Sequence, residues 1–95
     1  MPDTIPVESA VTLRMVYLAR LRDALGCDHE ALPVAGAAPT VARVLALLRA
    51  RGGAWAQELA PGRAVRVAVN HELVGEQAPV GHNDEVALLP PVTGG

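Results

Sequence analysis
The clearest periodicity in the chain lies just before its middle. Val41, Val44, Leu45 and Leu48 fall at helical spacing and make one apolar stripe, with Pro39-Thr40 ahead of them as a start signal and Thr40 in the N-cap place. Arg43, Arg49 and Arg51 lie off the stripe, and Gly52-Gly53 is the expected stop. Trp55 and Leu59 are spaced for a short second helical piece over 54–59, closed by Pro61-Gly62. Strand patterns stand on either side. Residues 12–18, TLRMVYL, are rich in strand formers, and 19–25 then shift to helix formers before Gly26. Residues 28–34 contain Pro33, which restricts them to an edge strand. Residues 65–69, VRVAV, alternate strictly, turn at Asn70-His71-Glu72 and pair back through Leu73-Val74. Residues 85–89, EVALL, form a last strand that Pro90 and Pro91 end, because proline donates no ladder hydrogen bond.

This order, with one main amphipathic helix and a set of short strands, predicts an α+β two-layer domain with a mixed sheet. The first and last strands carry the most continuous apolar runs, Met15 to Leu18 and Val86 to Leu89, so both belong in the middle of the sheet. Residues 1–11 hold two prolines and no periodicity and read as a mobile leader. The domain is expected over 12–89 and a flexible tail over 90–95.

Composition narrows the function. A chain of 95 residues that is 51% hydrophobic holds one modest core. The single Cys27 excludes an internal disulfide, and three scattered histidines give no metal-site spacing. No apolar run is long enough to span a bilayer and no signal-peptide pattern opens the chain, so the expected location is the cytoplasm, without a membrane partner. A net charge of −2 with dispersed arginines argues against nucleic acid. All eight basic residues are arginine. The chain therefore offers no lysine amine to an activated carboxyl group, a feature that codon bias also explains.

The folded body shows no catalytic pattern. His71-Glu72 lacks the second histidine of a zinc-protease helix and sits in a turn. Cys27 stands beside Asp28, and a neighbouring acid disfavours the thiolate, so it reads as an inert loop cysteine. No glycine loop leads into a lysine or a helix start. The distinctive feature is the closing run, PPVTGG. Two glycines let the backbone pass a slot too narrow for any Cβ, so the Gly95 carboxylate could reach a buried site. The diproline makes a semi-rigid spacer that lowers the ordering cost. A carboxylate is a poor electrophile, so acyl chemistry at Gly95 requires activation, for which ATP-dependent adenylation by another enzyme is suited.

These residues resemble a known family, the small, sulfur-carrying subunits of molybdopterin synthase. The likeness runs from Thr12 to Gly95 and is carried by YLARLRD at 17–23, the helix over 40–51, VAVN at 67–70 and, most specifically, DEVALLPPVTGG at 84–95. It implies a ubiquitin-like β-grasp fold. It also implies that an adenylating enzyme related to ubiquitin-activating enzymes joins AMP to Gly95, using ATP. A sulfur donor protein then leaves a thiocarboxylate there. The loaded tail, Gly94 and Gly95 leading, enters the large subunit of a heterotetramer and builds the dithiolene on cyclic pyranopterin monophosphate. The catalytic side chains belong to the large subunit, and no cofactor is bound by the isolated domain. Partner contacts implied by the family fall on Leu18, Leu73, Leu89, Pro90, Pro91, Val92 and Thr93, with Arg22 docking the activating enzyme. Leu18, Leu73 and Leu89 are equally readable as core. The chain departs from the family in having Leu88-Leu89 and Tyr17-Leu18 where aromatic residues are common, and Asn83-Asp84-Glu85 for the usual Gly-Asp-Glu turn; asparagine tolerates the left-handed conformation that this turn needs. Two other readings are kept: a sulfur carrier for thiamine, tRNA thiolation or cysteine synthesis, and a ubiquitin-like modifier that forms isopeptides.

Overall fold
A computed structural model describes residues 10–36 and 38–90. Five strands, β1 (Ala10–Tyr17), β2 (His29–Ala35), β3 (Arg66–Val69), β4 (Glu72–Val74) and β5 (Glu85–Leu89), form one mixed sheet in the order β2-β1-β5-β3-β4. β1 and β5 run parallel to each other, and the other pairs are antiparallel. The two most apolar strands therefore lie inside the sheet, and the strand that carries Pro33 lies at its edge, as the pattern requires. β1 begins two residues before the expected start, because Ala10 and Val11 pair with Ala35 and Val34 of β2. It also ends one residue earlier, at Tyr17.

Three helices, α1 (Ala19–Leu25), α2 (Val41–Arg49) and α3 (Gly53–Glu58), accompany the sheet. The α2 stripe of Val41, Val44, Leu45 and Leu48 is buried as expected. Its start differs in mechanism: Thr40 holds the N-cap place but its side chain makes no capping bond. The Val41 and Ala42 amides donate instead to the Ala78 and Glu76 carbonyls, so a neighbouring chain segment satisfies two of the free helix donors. Gly52-Gly53 does not end α2. The helix closes at Ala50, and the two glycines, at φ of 79° and 55°, make the left-handed corner that starts α3. The β3–β4 connection is a two-residue turn in which Asn70 and His71 both have positive φ, the geometry that matches strand twist in a tight hairpin. Asn83 takes φ of 70° in the turn before β5, so the asparagine there supplies the conformation expected of glycine.

Side chains alternate across the sheet, and among the described residues the helices cover one face. Leu13, Met15 and Tyr17 of β1, Val86 and Leu88 of β5, and Val67 of β3 join the α2 stripe in a single core. At its rim a polar cluster ties β1, β2 and the helical layer together. The Tyr17 hydroxyl donates to Glu30 at 2.6 Å, and Arg51 binds both oxygens of Glu30 at 2.8 and 3.1 Å. The Arg51 guanidinium lies 4.4 Å from the centre of the Trp55 ring, which meets Tyr17 edge-on. The Arg51 bonds hold the Glu30 carboxyl below the usual carboxylate range, and burial followed by the Glu30 bond pushes Tyr17 upward.

A depressed carboxylate adds stability that is complete above its unfolded pKa and lost as pH falls through the folded value. Thermal unfolding is therefore expected to show a loss of stability below about pH 4.3, the ordinary glutamate value, that Glu30→Gln largely removes. At neutral pH the same substitution should cost roughly 1.5–3 kcal/mol, the scale of hydrogen bonds to a charged group. Equal stability of the two proteins at neutral pH would show that the cluster contributes nothing.

Candidate functional site at the root of the tail
Among the described residues no helix crosses the second face of the sheet. The register puts Val16 beside Ala87, Ala87 beside Ala68 and Ala68 beside Leu73, one row running from β1 to β4. Leu89 lies two residues beyond Ala87 on the same face. None of these five belongs to the core cluster. Leu73 is 53% exposed, and Leu18, which leaves β1 at the start of α1, is 38% exposed. Ala87 is buried between its cross-strand neighbours, and Leu89 and Pro90 are half-buried. The other end of the same face is polar: Arg14 pairs in register with Glu85, and Arg14 Nε donates to the Asn83 carbonyl. An apolar half-face with a polar end, left uncovered by the described residues, has the form of a surface that another protein covers.

Why these residues meet follows from the alternation. Val65 to Val69 places Val65, Val67 and Val69 toward the helices and Arg66 and Ala68 toward water, and β5 places Val86 and Leu88 inward and Ala87 and Leu89 outward. Leu18 and Leu73 are thus exposed and Leu89 half-buried, and none of the three belongs to the core cluster.

The apolar half-face surrounds the exit of the chain. The last ladder pairs of β5 are Tyr17 with Leu88 and Arg66 with Leu89, and the Leu18 amide donates to the Leu88 carbonyl at 3.1 Å. Pro90 ends pairing on both sides. The end of β5 is therefore held between β1 and β3, and its direction is set by the two most central neighbours. Its start is anchored as firmly: the Asp84 carboxylate accepts from the Gly81 amide at 2.7 Å and from the Asn70 side chain, while Asn70 Oδ1 accepts from the Glu85 amide. Arg22 is exposed on α1 and forms a long, exposed ion pair with the adjacent Asp23 at 3.8 Å. Pro91, Val92, Thr93, Gly94 and Gly95, and the leader residues 1–9, lie outside the described residues.

The sequence did not mark Val16, Ala68 and Ala87 as part of this surface. Their alternation was visible, but which face stays bare depends on where the helices lie, and that is a property of the topology. Among the described residues no group of three or more His, Cys, Asp or Glu is placed to hold a metal ion. Cys27 is half-buried, with its Sγ 3.5 Å from the His29 carbonyl. No helix of the described residues is long and apolar enough to cross a membrane.

The chain is similar to known proteins in both sequence and fold. The ThiS family model matches residues 15–95. The chain is 37% identical over 83 residues to the molybdopterin synthase sulfur carrier subunit of Escherichia coli K12, covering 87% of this chain and 99% of that protein. It is 34% identical, with the same coverage, to the subunit of the same name from Haemophilus influenzae. Among solved structures, SAMP1 of Haloferax volcanii superposes with a TM-score of 0.75 at 25% identity, covering 88% of this chain and 99% of that one. A second Haloferax volcanii protein, solved in solution, gives 0.78 at 24% identity over 98% of this chain and 94% of that one. Both likenesses place the fold among ubiquitin-like β-grasp proteins.

Proposed function
Since the chain belongs to the ThiS family and is homologous to molybdopterin synthase sulfur carrier subunits, we propose that it carries sulfur as a thiocarboxylate on Gly95 for molybdopterin synthesis. An adenylating enzyme uses ATP to join AMP to the Gly95 carboxylate and releases pyrophosphate. A sulfur donor protein then displaces AMP, and the sulfur stays on the carbonyl carbon of Gly95. The apolar half-face of Leu18, Leu73 and Leu89 docks on the large subunit, and Pro90 to Thr93 span the distance to its active site. Gly94 and Gly95 thread the slot, where the large subunit's side chains direct attack on cyclic pyranopterin monophosphate. This chain supplies the sulfur, the reach and the docking surface. Arg22 engages the activating enzyme.

The observation that carries the reading is the match to the Escherichia coli subunit over 99% of its length, with the family likeness continuing through residue 95. The open apolar face around the exit of β5 supports it, because a reactive arm gains effective concentration only when its base is held. A second reading, a ubiquitin-like modifier, is favoured by the likeness to SAMP1, the small archaeal modifier protein 1 of Haloferax volcanii. The two separate in one reconstitution: thiocarboxylated chain, large subunit and precursor are expected to yield molybdopterin with two loaded chains consumed per dithiolene. A ladder of isopeptide-linked products in a lysate, with no molybdopterin formed, would favour the modifier instead.

A further inference from the structure
Among the eight arginines, six have a partner within the described residues: a carboxylate for Arg20, Arg22, Arg51 and Arg63, and a backbone carbonyl for Arg14 and Arg49. Arg43 and Arg66 have none there. Arg43 is an exposed α2 residue in a hollow shared with Ala35 and Gly36, away from the apolar half-face. Arg66 is different in its place. It is exposed, stands on the open face, and is the direct cross-strand neighbour of Leu89, the last paired residue of β5. Beyond Val74 the next residue on the β4 side is Gly75, which has no side chain to shelter it. A groove leads from Arg66 past Leu73 and Val74 to Leu45 and Glu76.

Directly opposed residues on one face of an antiparallel pair have Cβ atoms about 5 Å apart. A partner that covers Leu89 therefore takes the Arg66 guanidinium out of water, unless the long side chain reaches past the rim. An uncompensated buried charge is costly, whereas a planar guanidinium matched to a carboxylate is a directional contact. The surrounding apolar residues exclude water from such a pair.

We propose that Arg66 is a specificity-determining residue of the docking face, paired in the complex with a carboxylate that the partner presents beside its apolar patch. The inference rests on the proposed docking of this face to the large subunit. It adds the charge chemistry of the matching surface: apolar opposite Leu73 and Leu89, acidic opposite Arg66. The pair fixes the orientation of the docked domain close to where the tail leaves β5, and it rejects surfaces that are apolar but uncharged or basic at that point.

Titration calorimetry of the full chain against the large subunit from the same organism tests this with four variants. Arg66→Glu is expected to weaken binding about 100-fold, Arg66→Gln about 10-fold, and Arg66→Lys by only a few-fold, with unchanged thermal stability of each free chain. The salt dependence of wild-type binding should shrink in Arg66→Gln. Leu73→Asp serves as the docking control. If Arg66→Glu and Arg66→Gln bind within about threefold of wild type while Leu73→Asp fails, the side chain escapes to solvent and the Arg66 assignment is overturned, with the docking reading intact. If Leu73→Asp binds like wild type, both are overturned.

Discussion

Leu73→Asp is expected to abolish stable association with the large subunit, weakening it by about 100-fold or more, while leaving the free domain folded. Leu73 lies in the middle of the short edge strand β4, 53% exposed and outside the core cluster, so the substitution removes no buried contact in the free chain. Its cost to the isolated domain should stay near 0.5 kcal/mol, the scale of a surface change in a strand. In the proposed complex the same position is covered by apolar surface, and an unpaired carboxylate there must be desolvated. Leu73→Ala should show a smaller loss, roughly tenfold, because it removes contact area without adding a charge. Size-exclusion chromatography of the mixed subunits checks both. A Leu73→Asp chain that co-elutes with the large subunit as wild type does would place the interface elsewhere.

Removing Gly95 is expected to reduce sulfur transfer by at least about 100-fold, because the new terminal carboxyl falls about 3.5 Å short and misplacement of even 1 Å has effects of that size. Thermal stability should not change. The buried residues of the described body all lie at or before Leu88, so the core is complete without the last glycine. The readouts are molybdopterin formed by the reconstituted synthase and the melting temperature of the truncated chain. A melting temperature several degrees lower would mean that the tail braces the domain, and unchanged transfer would mean that the reacting carbon is not at residue 95.

The helix of residues 41–49 and the final strand were legible in the sequence because each has a strong period and clear ends. Val41, Val44, Leu45 and Leu48 keep their helical spacing, and Glu85 to Leu89 stop at a residue that cannot pair. Thr40 and Gly52-Gly53 were less legible, since both depend on tertiary neighbours: the 75–80 segment takes over the helix donors, and the two glycines turn the chain into α3. The Tyr17–Glu30–Arg51–Trp55 cluster brings together residues from three parts of the chain, which no local pattern encodes. The candidate surface was half legible. The family resemblance marked Leu18, Leu73 and Leu89, but their place outside the core, and the presence of Arg66 beside Leu89, required knowing which sheet face the helices leave bare.

The central claim is that Gly95 becomes the carrier of sulfur, and the most direct measurement is the intact mass of the chain after incubation with its activating enzyme, ATP and a sulfur donor. One loaded species is expected, heavier by the replacement of one oxygen by sulfur, with fragmentation assigning the change to residue 95. An unshifted mass, with the enzyme shown to be active by ATP–pyrophosphate exchange on this chain, would contradict it.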